Sequence, residues 1–324
     1  MSKPIAIVLG EPNSIFSEIL FKIELLKKKN FLPFFLIGNF NLIKKQSLYL
    51  KFNLKFNKIN KKFKTEDLKK NTLSIIDVPY CQKIPFRKIS KKSNKFIFQC
   101  FEIAIDLINK KKISGIINGP VSKETLLTSK FNGITEYLSS KTGSSNKEVM
   151  LIYNKKLAVS PITTHIPVHR ISSLLNKKKL IDNVKTIVKF YKKNLNKKVK
   201  IGITGLNPHC YSSYKNTEEN LIIKPAIKFL KKKKFNVFGP LSADTTFIKK
   251  NLKRFDVIIG MYHDQVLTPI KTLFEQEAIN ITLGIPFIRI SPNHGVGSDI
   301  AGKNQADPAS LIECLQFFKN LKCQ

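Results

Sequence analysis

Apolar runs of strand length alternate along this chain with segments of helical spacing, and that alternation restricts the fold to α/β. Ile5–Leu9 is a short apolar run stopped by Gly10, as in a parallel strand buried on both faces. Ile15, Ile19, Ile23 and Leu26 then recur on one helical face. Asn13 or Ser14 can cap that helix, and Lys27–Lys29 close it. Pro33–Gly38 is the next strand. Further strands are expected at Leu73–Val78, Gly115–Asn118, Val199–Gly205, Val237–Phe238 and Asp256–Met261. Helices are expected at Ser93–Asn109, Thr135–Gly143, Leu180–Leu195, Asn220–Lys234 and Pro308–Lys322, with another beginning at Ser122–Ser129. Val149–Tyr153 and Leu157–Ile162, separated by Asn154-Lys155-Lys156, read as a hairpin. Ala278–Leu283 and Phe287–Ile290 form another pair of apolar runs. Residues 40–70, rich in lysine and asparagine, give no assignable pattern.

A chain of 324 residues exceeds what one core usually supports, so two domains are expected. The net charge of +35 raises the question of a nucleic-acid or membrane partner. Only Arg87, Arg170, Arg254 and Arg289 among the 57 basic residues are arginine, the residue that fork-shaped recognition of phosphates and bases favours. The lysines are spread in short runs at the ends of helical segments, where cations are favoured. Lys, Asn, Ile and Phe also share codons rich in A and T. The charge therefore reads as genome composition laid over solvated faces, with no specific nucleic acid as partner. No apolar run approaches a membrane span, and Glu11 follows the first apolar run too soon for a signal peptide. The five cysteines show no CxxC or metal-ligand spacing, which fits reduced thiols in the cytoplasm.

The residues that can carry chemistry concentrate in Tyr262–Lys303, and the rest of the chain supplies partners for them. His165, His209 and His263 each stand just past an apolar strand-like run. In open α/β sheets, ligands gather outside the carboxyl ends of the strands, so three such imidazoles point to a divalent metal with open positions for substrate. Strand-end histidines bonded to nearby backbone are the competing account. Asp264, beside His263, and Asp244, in SADTTF, are candidate catalytic carboxylates, against an ordinary helix cap for Asp244. Lys271, Asn280 and Arg289 interrupt an otherwise apolar segment, and a partly buried Arg289 requires an oxyanion partner. His294, Gly295 and Asp299 lie in the turn SPNHGVGSDIAGK, whose glycines let backbone N–H groups approach a phosphate. No GxGxxG follows any strand, so the dinucleotide crevice of a Rossmann fold is excluded.

The chain resembles the 4-hydroxythreonine-4-phosphate dehydrogenase family of pyridoxal phosphate biosynthesis. The resemblance rests on NGPVSKE at 118–124, GITEYL at 133–138, TTHIP at 163–167, GLNPH at 205–209, GPLSADTTF at 239–247, YHDQVLTPIKTL at 262–273, and AINITLGIPFIRISPNHG through DIAGK. It implies a two-domain α/β/α fold like that of isocitrate and isopropylmalate dehydrogenases, with the active-site cleft between the domains. The first domain is expected at residues 1–130 plus 295–324 and the second at 131–294. It implies a homodimer with shared active sites. It implies one divalent ion (zinc, magnesium or cobalt) on His165, His209 and His263, substrate contacts from Thr135, Lys271, Asn280 and Arg289, and NAD or NADP held by loops.

The implied reaction is NAD-dependent oxidation of 4-phosphooxy-L-threonine, followed by loss of CO2. Two residues or segments depart from the family pattern. Ile134 replaces a substrate-contacting histidine before Thr135-Glu136, and the loop GEPNSIFSE lacks glycines usual there. Ile134 leaves open a related dehydrogenase acting on another phosphorylated hydroxy acid, such as 4-phospho-D-threonate. A lysine-rich nucleic-acid-binding protein without activity is the alternative from another class. None of these motifs names the general base.

Overall fold

In chain order the strands are β1 (Ile5–Val8), β2 (Phe34–Gly38), β3 (Phe56–Ile59), β4 (Leu73–Asp77), β5 (Gly115–Asn118), β6 (Val149–Tyr153), β7 (Ala158–Thr163), β8 (Ile201–Thr204), β9 (Val237–Leu241), β10 (Val257–Tyr262), β11 (Ile279–Leu283) and β12 (Ile288–Pro292). They come from a computed structural model that describes residues 2–25, 31–126, 133–145, 147–211 and 214–321. The chain divides into two units, Met1–Asn146 with Ile285–Gln324, and Lys147–Gly284. These divisions differ from those expected at 130/131 and 294/295. The helix Ile134–Lys141 packs into the core of the first unit through Ile134, Tyr137 and Leu138, and β12 pairs with β5 there.

The first unit carries the strand order β3-β4-β2-β1-β5-β12, with parallel pairing throughout. Ala6, Val8, Phe35, Ile37 and Ile116 face one core, shared with Ile97, Phe101 and Ala104 of the helix Asn94–Asn109. Their alternating neighbours Ile5, Ile7, Leu36 and Ile117 are equally buried on the opposite face. A strand apolar on both faces must be covered on both, which is why helices lie on either side of this sheet. The helix Phe16–Leu25 packs against the helices Phe40–Tyr49 and Ala309–Asn320.

The second unit carries the order β11-β6-β7-β10-β8-β9. Here β6 runs antiparallel to both β11 and β7, and the remaining pairs are parallel. Ile152↔Val159 and Tyr153↔Ala158 pair across the turn at Asn154–Lys156, as the hairpin pattern predicts. Val159 and Ile258 pack with Val266, Ile270 and Phe274 of the helix His263–Phe274. Ser160, on the other face, meets Asn183 of the helix Lys177–Phe190.

Among the described residues, two helices of ten residues or more lie where no helix was expected. Phe40–Tyr49 falls in the unassigned stretch, and its buried face includes Gln46 and Ser47 as well as Leu42 and Ile43. His263 stands just past β10 as expected, and it opens a helix that runs through Pro269 to Phe274. The expected helices at Leu180–Leu195 and Asn220–Lys234 each include a π turn, at Tyr191–Leu195 and Glu219–Ile223. The end of the first helix at Leu26–Lys29, residues 127–129 of the helix expected at Ser122–Ser129, and Lys322 at the end of the last helix lie outside the described residues.

Among the described residues no helix is long and apolar enough to cross a membrane. Cys81, Cys100, Cys210 and Cys314 are unpaired thiols.

Candidate functional site

In the second unit, β7 and β10 are parallel neighbours, with Thr163 opposite Tyr262. His165 leaves the end of one and His263 the end of the other, and their ring centroids are 5.3 Å apart. Two imidazoles bonded about 2 Å from one tetrahedral ion have centroids about 5 Å apart, so this spacing suits a shared metal. His263 Nδ1 lies 2.7 Å from Asp264 Oδ1, which fixes the ring's orientation and leaves Nε2 for a ligand. Thr163 Oγ1 donates to Met261 O at 2.8 Å and ties the two strand ends together.

The neighbouring β8 joins the same end of the sheet. Gln265 Oε1 accepts from Met261 N at 2.7 Å and from Thr204 Oγ1 at 2.9 Å, while its Nε2 donates to Gly205 O at 2.8 Å. Five residues past β8, His209 stands exposed in the left-handed region, with φ 54 and ψ 13. Its Nδ1 is 3.5 Å from both Asp244 Oδ2 and Ser242 Oγ. Asp244 lies in the helical turn Ala243–Thr246 and accepts from Ser242 Oγ at 2.5 Å. That hydroxyl, and to a smaller extent His209, holds the Asp244 carboxyl below the usual carboxylate range despite the opposing desolvation.

Thus the structure gathers the expected residues in pairs: His165 with His263, His263 with Asp264, and His209 with Asp244. Among the described residues, no group of three or more His, Cys, Asp or Glu side chains is placed to hold a metal ion. The donor chemistry suits a divalent ion, and two of the three expected ligands converge. His209, turned toward Asp244, does not complete the set in this conformation.

Lys271 is exposed in the last turn of His263–Phe274, and Asn280 is half-buried on β11, opposite Ile152. The other two expected substrate residues belong to the first unit and meet there. Arg289 on β12 is 4% exposed. Its Nε donates to Asn118 Oδ1 at 2.7 Å and its Nη1 to Thr135 Oγ1 at 3.3 Å. Burial lowers this guanidinium to about 10, while Glu136 and Cys314 favour the charged form. Asn118, the last residue of β5, was not among the expected site residues. Its signal was a polar residue ending the apolar run GIIN within NGPVSKE. Ile134 is 5% exposed and packs into the core beside these residues.

The glycine turn also lies in the first unit. Val296 O accepts from Ile15 N at 3.0 Å, and Gly297 has φ 56. A Cβ there would come 2.8 Å from Ile15 Cγ2, so both backbone and space call for glycine. His294 Nδ1 donates to Gly295 O at 3.0 Å, and its Nε2 is buried without a hydrogen-bond partner, as is Asn293 Nδ2. Burial pushes the His294 pKa down, against Gly295 O and Asp307. Gly295 and Asp299 are exposed, and nothing lies within 4 Å of where a Gly295 Cβ would stand. An orphan acceptor, an orphan donor and open backbone suit a polar cofactor.

Comparison with known proteins agrees with this layout. Residues 30–318 match the family described as "Pyridoxal phosphate biosynthetic protein PdxA". The chain is 38% identical to the 4-hydroxythreonine-4-phosphate dehydrogenase of Sulfurihydrogenibium sp. (strain YO3AOP1), over 98% of each chain. It is 33% identical to that of Aquifex aeolicus (strain VF5), over 99% of each. The crystal structure of 4-hydroxythreonine-4-phosphate dehydrogenase from Klebsiella pneumoniae superposes with a TM-score of 0.85 at 27% identity, covering 99% of this chain and 98% of that one. Isocitrate dehydrogenase from Methylococcus capsulatus, at 11% identity, covers 98% of this chain and 85% of that one with a TM-score of 0.52. The fold is accordingly the α/β fold of the isocitrate dehydrogenase type. The chain belongs to the PdxA family of pyridoxal phosphate biosynthetic proteins.

Proposed function

We propose that this chain oxidises 4-phosphooxy-L-threonine with NAD to 2-amino-3-oxo-4-phosphooxybutanoate, which loses CO2 to give 3-amino-2-oxopropyl phosphate. The observation that carries this reading is the pair His165–His263 at adjacent strand ends, in a chain of this family. When bound, NAD supplies a hydride acceptor and a divalent ion supplies a Lewis acid. His165 and His263 would hold the ion, and His209 would be its third ligand. Asp264 keeps the His263 proton on Nδ1, and Asp244 is placed to do the same for His209.

Arg289, held by Asn118 and Thr135, is a fixed cation that suits the substrate's phosphate or carboxylate. Lys271 and Asn280 are the remaining substrate contacts. Oxidation at C3 leaves a carbonyl β to the carboxylate, and that carbonyl accepts the electron pair released with CO2. The turn holding His294, Gly295 and Asp299 is the proposed seat of NAD, supported by its orphan polar atoms.

A homodimer is the proposed assembly. Val168, Tyr211, Tyr214 and Leu221 are each more than 60% exposed, on two segments that the Ser172–Glu218 hydrogen bond ties together in the second unit. Side chains of this kind cluster at interfaces between copies. One observation favours a second substrate. Ile134 is buried apolar core and offers no hydrogen bond, which leaves room for another phosphorylated hydroxy acid such as 4-phospho-D-threonate.

The test is NAD reduction by the purified protein with each of the two phosphorylated acids, with and without a chelator. The reading requires turnover of 4-phosphooxy-L-threonine that the chelator abolishes. Turnover confined to the threonate would move the assignment to the second substrate, and turnover unchanged by the chelator would remove the metal.

A further inference from the structure

We propose that Glu219 is the positioning residue of the His209 segment, holding the backbone that delivers this imidazole to the site. The inference rests on the reading of His209 as a metal ligand. Glu219 is 2% exposed. Its Oε1 accepts from Leu206 N at 2.7 Å and Asn207 N at 2.9 Å, and its Oε2 accepts from Asn207 Nδ2 at 2.8 Å. A buried carboxylate is tolerated only where its lone pairs are satisfied, and here three N–H groups of one short segment do so.

That segment needs holding. His209 and Cys210 both have φ 54, and two successive side chains in the left-handed region are costly unless their surroundings dictate the conformation. Glu219 fixes residues 206 and 207. Gln265 Nε2 fixes Gly205 O on the residue before, and Cys210 N closes the following turn by donating to Asn207 O at 3.1 Å. Glu218 Oε2 takes a second hydrogen bond from Asn207 Nδ2 at 2.9 Å.

A separate observation agrees. Gly205 has no room for a side chain, because a Cβ would stand 3.0 Å from Glu219 Oε1 and 2.6 Å from Cys210 Sγ. The chain leaves β8 through a glycine so that the carboxylate can approach the backbone. Desolvation opposes the charge of Glu219, but the hydrogen bonds from Asn207 and Leu206 outweigh it and hold its pKa below the usual range. The π turn that opens at Glu219 places this carboxylate under the segment from a neighbouring element.

The experiment follows the imidazole nitrogens of 15N-histidine-labelled protein by NMR as Zn2+ is added, with zinc affinity measured by calorimetry. It compares the unmodified chain with Glu219→Gln, Asn207→Ala and His209→Ala. Glutamine keeps the shape of Glu219 but turns an N–H group toward the donors of Asn207. In Glu219→Gln the His209 resonance should stop responding to zinc while His165 and His263 still respond, and zinc affinity should fall about tenfold or more. A merely structural role would not silence one imidazole selectively. Asn207→Ala keeps the carboxylate and its two backbone bonds, and should show a smaller loss in the same direction. It carries the test if Glu219→Gln does not fold.

An unchanged His209 response and zinc affinity in the folded Glu219→Gln variant would overturn the proposal, as would an unchanged Asn207→Ala where it carries the test. Unchanged zinc affinity in His209→Ala would instead overturn the ligand reading on which the proposal rests.

Discussion

At the scale of single residues, Arg289 and Ile134 occupy adjacent parts of one core and make opposite demands on it. Arg289 is a buried cation whose Nε and Nη1 are engaged by two different partners. A lysine has no planar fork and cannot reach both Asn118 Oδ1 and Thr135 Oγ1 from one ammonium. Arg289→Lys should lower kcat/KM at least about tenfold, the equivalent of one charge-assisted hydrogen bond. Steady-state kinetics with 4-phosphooxy-L-threonine measure this, and an unchanged kcat/KM would remove Arg289 from the substrate contacts.

Ile134 packs with Tyr137 and Leu138. A histidine there puts a polar ring among apolar side chains, at a cost of about 1–3 kcal/mol. Ile134→His should lower Tm and leave KM no better. A lower KM with Tm preserved would show that the substrate contact had merely been lost.

Both residues were visible in the sequence as exceptions: a lone arginine inside FIRIS, and an apolar residue where the resemblance led one to expect a histidine. The partner Asn118 showed only as a polar residue ending the run GIIN, a signal that does not tell an asparagine that merely ends a strand from one that orients a cation.

At the scale of elements, the strands could be read wherever apolar side chains run without interruption, since burial on both faces leaves no other composition. The helix Phe40–Tyr49 could not, because Gln46 is buried by bonding to Pro12 O and Pro85 O, tertiary partners invisible to local periodicity. The helix His263–Phe274 was hidden by Pro269 and by its start directly after β10, with no intervening turn. The candidate histidine site was half legible for a related reason. Strand-end position drew attention to His165, His209 and His263 alike, but only His165 and His263 lie side by side. The placement of His209 depends on Asp244 and Ser242 beside its ring and on Glu219 beneath residues 206 and 207, which strand periodicity does not encode.

The glycine turn allows a prediction of its own. Burial lowers the His294 pKa in the folded chain, while the unfolded chain takes its proton near the ordinary value of about 6.5. Below that value the unfolded state binds more protons than the folded state, so stability falls as pH drops and is fully present above it. Asparagine can replace the Nδ1–H donor to Gly295 O but cannot titrate. Between pH 7.5 and 5.5, Tm should fall more in the unmodified protein than in His294→Asn. Equal losses measured by calorimetry would show that His294 does not couple folding to pH.

At the scale of the whole molecule, the question is where +35 charges sit relative to the chemistry. In the second unit β7, β10, β8 and β9 are parallel, so their ends separate by direction. Lys155–Lys156 precede β7, Lys197 and Lys198 precede β8, Lys231–Lys234 precede β9, and Lys253 with Arg254 precedes β10. His165, His209 and His263 follow the opposite ends. The same topology that gathers the imidazoles at the carboxyl edge collects the lysine runs at the amino edge. Lys155 and Lys156 lie in the β6–β7 turn, and the other runs close or follow helices that return to that edge, where C-termini favour cations.

A lysine-rich edge without forked arginine recognition attracts polyanions through counterion release alone. Duplex DNA should therefore bind at about 50 mM salt, lose most of its affinity by about 200 mM, and show no sequence preference. NAD turnover should be unaffected by saturating DNA, since the proposed catalytic residues of this unit leave the other edge. Fluorescence anisotropy across a salt series, run beside the turnover assay, tests both statements. DNA binding that stayed tight at about 200 mM salt, or that competed with the phosphorylated substrate, would give the basic edge a role beyond composition and revive nucleic-acid binding as a function of this chain.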